Sequence, residues 1–179
     1  GKEGGQGIAE VVFGKVNPSG KLPISMPKSI GQLPQTHDRL PHPTPIGENE
    51  HSPSYDPLFE FGHGLSYADC SYEAIDVAQP TVGTNDSIDV TVTLENESER
   101  SVDEIVQLYV RDCVSSRVTP VRELKAFDRV SVPAGESTRA TLSIDVDDLG
   151  VVQPDGTMEV EPGRFVVTSG GLSTEFEVV

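Results

Sequence analysis

The chain has 179 residues, which is enough to bury a hydrophobic core in one or two domains. Its 13 basic and 29 acidic residues give a net charge of -16, which argues against nucleic acid or an anionic membrane as a partner. No apolar run reaches the length of a membrane span, and two cysteines are too few for a disulfide framework or a metal site.

The acidic residues are spread along the whole chain, so they predict an acidic surface and not a disordered tail. An even acidic coat with few lysines suits a halophilic protein, because high salt screens the self-repulsion. Acidic proteins also occur at ordinary salt, so this remains a hypothesis about habitat. The sequence assigns no cellular location. The cysteines, Cys70 and Cys113, are either bridged or, as we expect, two small buried thiols.

The N-terminal residues 1–7 are rich in glycine and lead into a short helical pattern. Four apolar side chains recur there at helical spacing, and Gly14 suits the helix C-cap: Ile8, Val11, Val12 and Phe13. No Gly-Lys-Ser/Thr closes the glycine run and no strand precedes it. The pattern therefore favours a helix entry over a phosphate loop, and we predict no cofactor.

A turn at residues 17–20 precedes a predicted short strand at residues 21–26, whose apolar side chains share one face: Leu22, Ile24 and Met26. The prolines in and after it place this strand at a sheet edge, or lie near the strand ends. Residues 28–56 show no period and contain several prolines, which predicts a long surface loop.

The long loop carries three histidines next to acidic residues, an arrangement that can suggest a metal site: His37, His42 and His51, beside Asp38, Glu48 and Glu50. Their spacings fit no known ligand pattern, and solvated loop histidines are far commoner than ligands. We therefore predict no metal site.

The character of the chain changes across residues 57–67, which read PLFEFGHGLSY. Gly62 and Gly64 lack Cβ atoms, so they allow positive φ or a close backbone approach. Four apolar residues are expected to anchor this stretch as a docked junction: Phe59, Phe61, Leu65 and Tyr67. The alternative is a hydrophobic strand that ends in a glycine turn.

The residues beyond the junction alternate between apolar and polar in short runs separated by turns. About seven short strands at this spacing predict a mainly β fold, a β-sandwich of fibronectin type III or immunoglobulin kind. The predicted inward-facing residues are Ile88, Val90, Val92 and Leu94; Val106, Leu108 and Val110; Ala140, Leu142, Ile144 and Val146; Phe165 and Val167; and Phe176 and Val178. A further run at residues 121–132 carries Leu124, Phe127, Val130 and Val132.

Several segments in this order resemble the C-terminal part of glycoside hydrolase family 3, the β-glucosidase and β-xylosidase family. They are GKEGG at 1–5, FG at 13–14, NPSGKLP at 17–23, FGHGLSY at 61–67, VQLYVRD at 106–112, PVRELKAF at 120–127 and PAGES at 133–137. The resemblance implies that residues 1–56 are the end of an α/β sandwich domain, residues 57–67 the junction and residues 68–179 a fibronectin type III-like domain.

The resemblance also implies which catalytic groups to look for. The family uses an Asp nucleophile on a barrel domain and a Glu acid/base in the α/β domain, and no position of this chain matches either motif. We therefore predict no catalytic, cofactor-binding or metal-binding residue here, and no such role falls on Glu3 or Glu10. Most carboxylates are expected on solvent-facing positions, where nothing raises their pKa as a general acid requires.

The chain does not begin with Met, and we expect a C-terminal fragment of a family 3 β-glycosidase with a structural role and little activity alone. Its partners would be the remaining catalytic domains, on the same or a separate chain. Residues 1–56 have few partners for their apolar faces. We therefore expect this part to be poorly ordered alone or to borrow contacts from another chain. The alternatives are a stand-alone carbohydrate-binding or adhesion module, and an unfamiliar enzyme that uses the histidine loop.

Overall fold

The computed structural model describes residues 3–41 and 56–179. These residues form one helix, two 3₁₀ helices and ten strands. In chain order the elements are α1 (Gly4–Val12), a 3₁₀ helix (Ile30–Gln32), β1 (Cys70–Val77), β2 (Thr81–Val82), β3 (Ser87–Asn96), β4 (Val102–Asp112), β5 (Glu123–Val132), β6 (Ser137–Asp145), a second 3₁₀ helix (Val146–Leu149), β7 (Val151–Val152), β8 (Met158–Glu159), β9 (Gly163–Ser169) and β10 (Leu172–Val178).

The strands form two facing sheets and a small hairpin. One sheet has the order β1-β3-β6, the other has the order β2-β10-β9-β4-β5, and β7 pairs with β8. The long neighbours are antiparallel, whereas β2 joins β10 in parallel. The predicted mainly β fold, a sandwich of the fibronectin type III kind, is confirmed.

The core lies between the two sheets and follows the predicted alternation. On β3 every second side chain, from Ile88 to Leu94, is fully buried, while the residues between them are exposed or half-buried. The predicted inward residues of β4, β6, β9 and β10 are buried as well. Each large apolar side chain buried in this way stabilises the fold by roughly 1.5–3 kcal/mol.

Strand β5 departs from a simple alternation. Val132 is fully buried, but Phe127 is exposed, and Ala126 packs against the core beside it. The β4–β5 register shifts between Leu108 and Tyr109, which indicates a bulge. A bulge changes which side chains face inward, so a strictly two-residue period does not describe this strand.

Strand β1 was not predicted from the sequence. Its apolar residues do not alternate regularly, because its pairing with β3 shifts between Tyr72 and Ala74. Beyond this irregularity, Ile75 and Val77 again pack against the core. Period-2 arguments miss strands that contain such an irregularity.

The predicted helix is present as α1, and it ends where Gly14 adopts a φ of 71°. Such a positive φ is easily adopted by glycine and costly for other residues. None of its residues is buried, and Ile8, Val12 and Phe13 are largely exposed. Helix α1 thus presents apolar side chains that no described residue covers.

The predicted strand at residues 21–26 is wrong. Only Met26 forms an isolated bridge, to Phe59, while Leu22 exchanges backbone hydrogen bonds with the junction. Pro23 and Pro27 have no N–H to donate, and no described strand lies beside this segment to complete a ladder. The loop that follows contains the short 3₁₀ helix, and its residues 42–55 lie outside the described part.

The junction at residues 57–67 is docked through its glycines and hydrogen bonds more than through its aromatics. Gly62 has a φ of 79°, and a Cβ on Gly64 would lie 2.9 Å from the Gly20 carbonyl oxygen. The predicted anchoring by four apolar side chains is wrong for three of them, because Phe59, Leu65 and Tyr67 are exposed. Only Phe61 packs closely against the sandwich, with its ring edge-on to Tyr109 at 6.4 Å.

Candidate functional site

A buried carboxylate joins the N-terminal segment (residues 3–41 and 56–67) to the sandwich. Glu104 lies on β4 in the inward-facing register between Val102 and Val106, and it is 8% exposed. Its Oε1 accepts a hydrogen bond from the Tyr72 hydroxyl at 2.9 Å and lies 2.9 Å from Lys21 Nζ. A buried charge is costly unless it is paired, so these partners account for its position.

The surroundings of Glu104 keep the neighbouring groups protonated. Burial, together with the charge and hydrogen bond of Glu104, raises the pKa of Tyr72 well above its ordinary value, so its hydroxyl remains a donor. Burial and the same charge also raise the pKa of the Cys70 thiol. Cys70 and Cys113 are both free and half-buried. A thiol with a raised pKa is a poor nucleophile. The groups around Glu104 therefore favour a structural role over a catalytic one.

A second set of contacts surrounds Tyr109 on β4. A Cβ on Gly62 would collide with Gln107 and with the Tyr109 hydroxyl. The Arg122 guanidinium lies 5.0 Å from the centre of the Tyr109 ring, within cation–π range, and donates a 2.8 Å hydrogen bond to Glu60 of the junction. Burial raises the pKa of Tyr109, and the Arg122 charge partly offsets this.

Hydrogen bonds that involve backbone groups add to the contacts around Glu104 and Tyr109, which together we call the joint. Asn17 Oδ1 accepts a 2.8 Å hydrogen bond from the Tyr67 amide, and the Tyr67 hydroxyl donates to the Val11 carbonyl at 2.9 Å. On the other side, the Val121 amide donates to the Arg39 carbonyl at 3.0 Å. Residues 3–41 are therefore fastened to the junction and to the β4–β5 loop by hydrogen bonds.

The histidines divide between described and undescribed positions. His37 stacks on Phe61 with ring centres 4.3 Å apart and lines a cavity of about 270 Å³ at the junction, together with Arg39 and Arg122. His42, His51, Glu48 and Glu50 lie outside the described residues. Within residues 3–41 and 56–179, no three His, Cys, Asp or Glu side chains gather in a group that could hold a metal ion.

The carboxylates differ in whether they have the raised pKa of a general acid. Glu10 is half-buried, and hydrogen bonds from Lys15 and Gln6 lower its pKa, which is the wrong direction. Asp112 has a pKa raised mainly by burial, and it lines a cavity of about 410 Å³ together with Glu123. Glu123 is paired with Lys125 at 3.3 Å. The sequence pattern did not single out Asp112. Because its pKa is raised and it lines a cavity, it is the carboxylate to test for catalysis.

The sequence contains two Asn-X-Ser triplets of the N-glycosylation type, at residues 85–87 and 96–98, and they differ in accessibility. Asn85 is exposed, whereas Asn96 is completely buried and its Nδ2 donates to three carbonyl oxygens, those of Arg100, Val132 and Pro133. Its Oδ1 accepts a hydrogen bond from the Ser98 amide at 3.1 Å. In the folded chain Asn96 is therefore a structural residue whose amide is not available for a glycan.

The sequence analysis missed the groups of this joint: Lys21, Tyr72, Glu104, Tyr109 and Arg122. One signal was present for Glu104, because a carboxylate at an inward position of an alternating strand requires a buried partner. Nothing in the sequence spacing pointed to Lys21, which lies 83 positions before Glu104. Contacts between residues this far apart are set by the fold.

Two family descriptions match the chain. The Glycosyl hydrolase family 3 C-terminal domain matches residues 1–67, and the Fibronectin type III-like domain matches residues 104–173. No helix within residues 3–41 and 56–179 is both long enough and apolar enough to cross a bilayer.

Relatives with curated names match nearly all of the chain. A periplasmic beta-glucosidase of Salmonella typhimurium is 34% identical over 95% of this chain and 23% of its own length. A beta-xylosidase of Formosa agariphila is 35% identical over 97% of this chain and 24% of its own length. The solved structure of a b-glucosidase from Erythrobacter marinus has a TM-score of 0.89 and 35% identity, covering 98% of this chain and 24% of that one. The chain thus spans about a quarter of the length of these relatives.

Proposed function

The chain belongs to glycoside hydrolase family 3, to whose C-terminal region it corresponds, and we propose that it acts as a non-catalytic structural part of a β-glycosidase. In this proposal the whole enzyme removes terminal β-linked glucose or xylose, and the sandwich supports its catalytic domains. The partners of this region are those domains, on the same chain or on a separate one.

The observation that carries the proposal is the pair Lys21–Glu104. It ties the N-terminal segment, which belongs to the matched C-terminal domain, to the core face of the sandwich at 2.9 Å. Their side chains are 20% and 10% exposed. A charge pair at this depth requires a defined geometry, because each charge loses hydration and must be compensated by the other. Such a joint holds the sandwich in a fixed position relative to the segment, as a supporting domain requires.

Helix α1 supports the second half of the proposal, that other domains cover this region. Ile8 and Val12 are four residues apart on one helix face, and both are exposed. Phe13, directly after the helix, is 86% exposed. An apolar helix face normally packs against another element. The rest of the α/β domain of a family 3 enzyme is the partner that we propose for it.

A stand-alone carbohydrate-binding module would need exposed aromatic side chains on a flat face. Tyr109 is buried and Tyr72 is half-buried with its hydroxyl on Glu104, so neither offers a sugar-stacking platform. Tyr67 is exposed, but its hydroxyl is bonded to the Val11 carbonyl. The described tyrosines therefore favour the structural role over this alternative.

The test is hydrolysis of chromogenic β-glucoside and β-xyloside by the purified chain, at low and at molar salt. We expect no turnover in either condition. Turnover that is lost in Asp112→Asn but kept in the matched variant Asp155→Asn, which alters an exposed turn carboxylate, would overturn the proposal. It would show that Asp112 is a catalytic acid of this chain.

A second measurement tests the supporting role directly. In the full-length enzyme that carries this region, Glu104→Gln should lower the temperature of thermal inactivation while leaving KM unchanged. The reason is that Glu104 fixes the position of a supporting domain without touching the sugar. An unchanged inactivation temperature would argue against support of the catalytic domains by this joint.

A further inference from the structure

Two arginines lie side by side on the outer face of the five-stranded sheet. Strand β4 pairs with β5 through Val110 and Glu123. Arg111 follows Val110 on β4, and Arg122 directly precedes Glu123, the first residue of β5. Both line one cavity of about 440 Å³, together with Tyr109, Thr168, Ser173 and Gly171. We call this the arginine cavity.

Only one of the two charges is compensated within the described residues. Arg122 is paired with Glu60 at 2.8 Å and stacks over the Tyr109 ring. Arg111 is exposed and has no carboxylate within 4.0 Å in residues 3–41 and 56–179. Two like charges that line one cavity repel each other. In a chain with a net charge of -16, a carboxylate for Arg111 would be easy to supply, yet the described residues place none beside it.

The chemistry of the cavity suits a ligand that carries both a carboxylate and hydroxyl groups. Guanidinium groups bind carboxylates through two parallel charge-assisted hydrogen bonds. The opposite wall carries the hydroxyls of Thr168 and Ser173, which can act as donors or acceptors toward sugar hydroxyls. Thr168 faces Tyr109 across the sheet, so the two walls belong to neighbouring strands on a rigid scaffold.

We propose that the arginine cavity binds a uronic acid residue of a glycan, with the sugar carboxylate on Arg111 and Arg122. The choice of a sugar rests on the proposed function, because it assumes that the whole enzyme acts on β-linked sugars. A concave site with hydroxyls opposite the charges fits a sugar ring better than it fits a flat acidic protein surface. The cavity shares Arg122 and Tyr109 with the contacts that dock the junction onto β4.

The test is calorimetric titration of the purified chain with a xylo-oligosaccharide that carries glucuronic acid, and with the neutral xylo-oligosaccharide of the same length. The acidic sugar should bind at least about tenfold more tightly, since charge-assisted hydrogen bonds contribute about 1.5–3 kcal/mol. Arg111→Gln should remove this preference. The matched control is Arg139→Gln, which alters an exposed arginine on β6 in the other sheet and should bind like the wild type.

Two results would overturn the inference. The first is equal affinity, or no affinity, for the acidic and the neutral sugar. The second is binding of an acidic peptide that competes with the sugar and is lost in Arg111→Gln, which would identify a protein-docking surface instead. Neither result bears on the structural role, which is judged by turnover and by thermal inactivation.

Discussion

The ammonium of Lys21 lies 2.9 Å from Oε1 of Glu104, and it comes from a segment with no regular strand of its own. The Tyr72 hydroxyl, from the opposite sheet, reaches the same oxygen. One carboxylate oxygen thus connects the two sheets and the N-terminal segment. This arrangement leads to the first prediction, because removing the carboxylate charge affects all three parts at once.

Glu104→Gln should lower the free energy of unfolding by about 2 kcal/mol. Breaking a fully buried pair costs roughly 3–5 kcal/mol, and the value here is smaller because Lys21 is 20% exposed. Denaturant unfolding measures the change, and hydrogen exchange at the Leu22 and Gly62 amides should accelerate. The control is Glu10→Gln, whose pair with Lys15 is exposed and should matter little. Equal effects of the two variants would contradict the prediction.

Gly62→Ala should undock the junction from β4. The substitution places a Cβ against Gln107 and the Tyr109 hydroxyl, and it also imposes a φ of 79° on alanine. Gly135 is the matched control, since its φ is 68° and a Cβ there has no atom within 4 Å. We expect Gly135→Ala to cost about 1 kcal/mol from the backbone alone. Gly62→Ala should cost at least about 2 kcal/mol, because the side-chain clash adds to the same backbone strain. Thermal unfolding of both variants measures the difference.

Ser169→Ala should stabilise the fold. Ser169 is 2% exposed on β9, and its Oγ has no hydrogen-bond partner among residues 3–41 and 56–179. An unsatisfied buried hydroxyl has a desolvation cost, so its removal should raise the free energy of unfolding by about 1 kcal/mol. Ser173→Ala, at an exposed position of β10, should change it by less than about 0.5 kcal/mol. Destabilisation by Ser169→Ala would indicate that the hydroxyl has a partner, such as an ordered water.

The melting temperature should rise as NaCl is raised from low to molar concentration. With a net charge of -16 the folded chain repels itself, and salt shortens the Debye length from about 30 Å at 0.01 M to about 3 Å at 1 M. The rise should level off once the charges are screened, and sucrose should not reproduce this saturation. A melting temperature that falls with NaCl would refute the idea of an acidic surface suited to high salt.

The sequence predicted the sandwich well because its evidence is local. Alternation from Ile88 to Leu94 requires only that one face be buried, and the structure buries that face completely. The same reasoning failed at residues 21–26, where an apolar pattern exists but residues 3–41 and 56–179 supply no neighbouring strand to pair with it. It also failed at Tyr67, whose exposed ring serves the junction through its hydroxyl and not through burial.

The candidate sites could not be predicted to the same degree. Arg111 and Arg122 are eleven positions apart by number, and the fold places both at one cavity beside the paired strands β4 and β5. Asp112 resembles any other acidic residue in the sequence, and its raised pKa comes from burial that only the fold produces. Side-chain chemistry is local information, whereas its arrangement in space is a property of the topology.

The parallel pair of β2 with β10 has a consequence for how the chain acquires its structure. Thr81 pairs with Glu177, and Val82 pairs with Val178. Strand β2 can therefore pair only with residues that come almost a hundred positions later in the chain. Contacts between residues this far apart close slowly, because a long loop must be ordered before they form. We therefore expect the five-stranded sheet to be completed only after β10 has been synthesised, because β2 and β9 both pair with it. An unpaired sheet edge of this kind is prone to aggregation while the chain is incomplete.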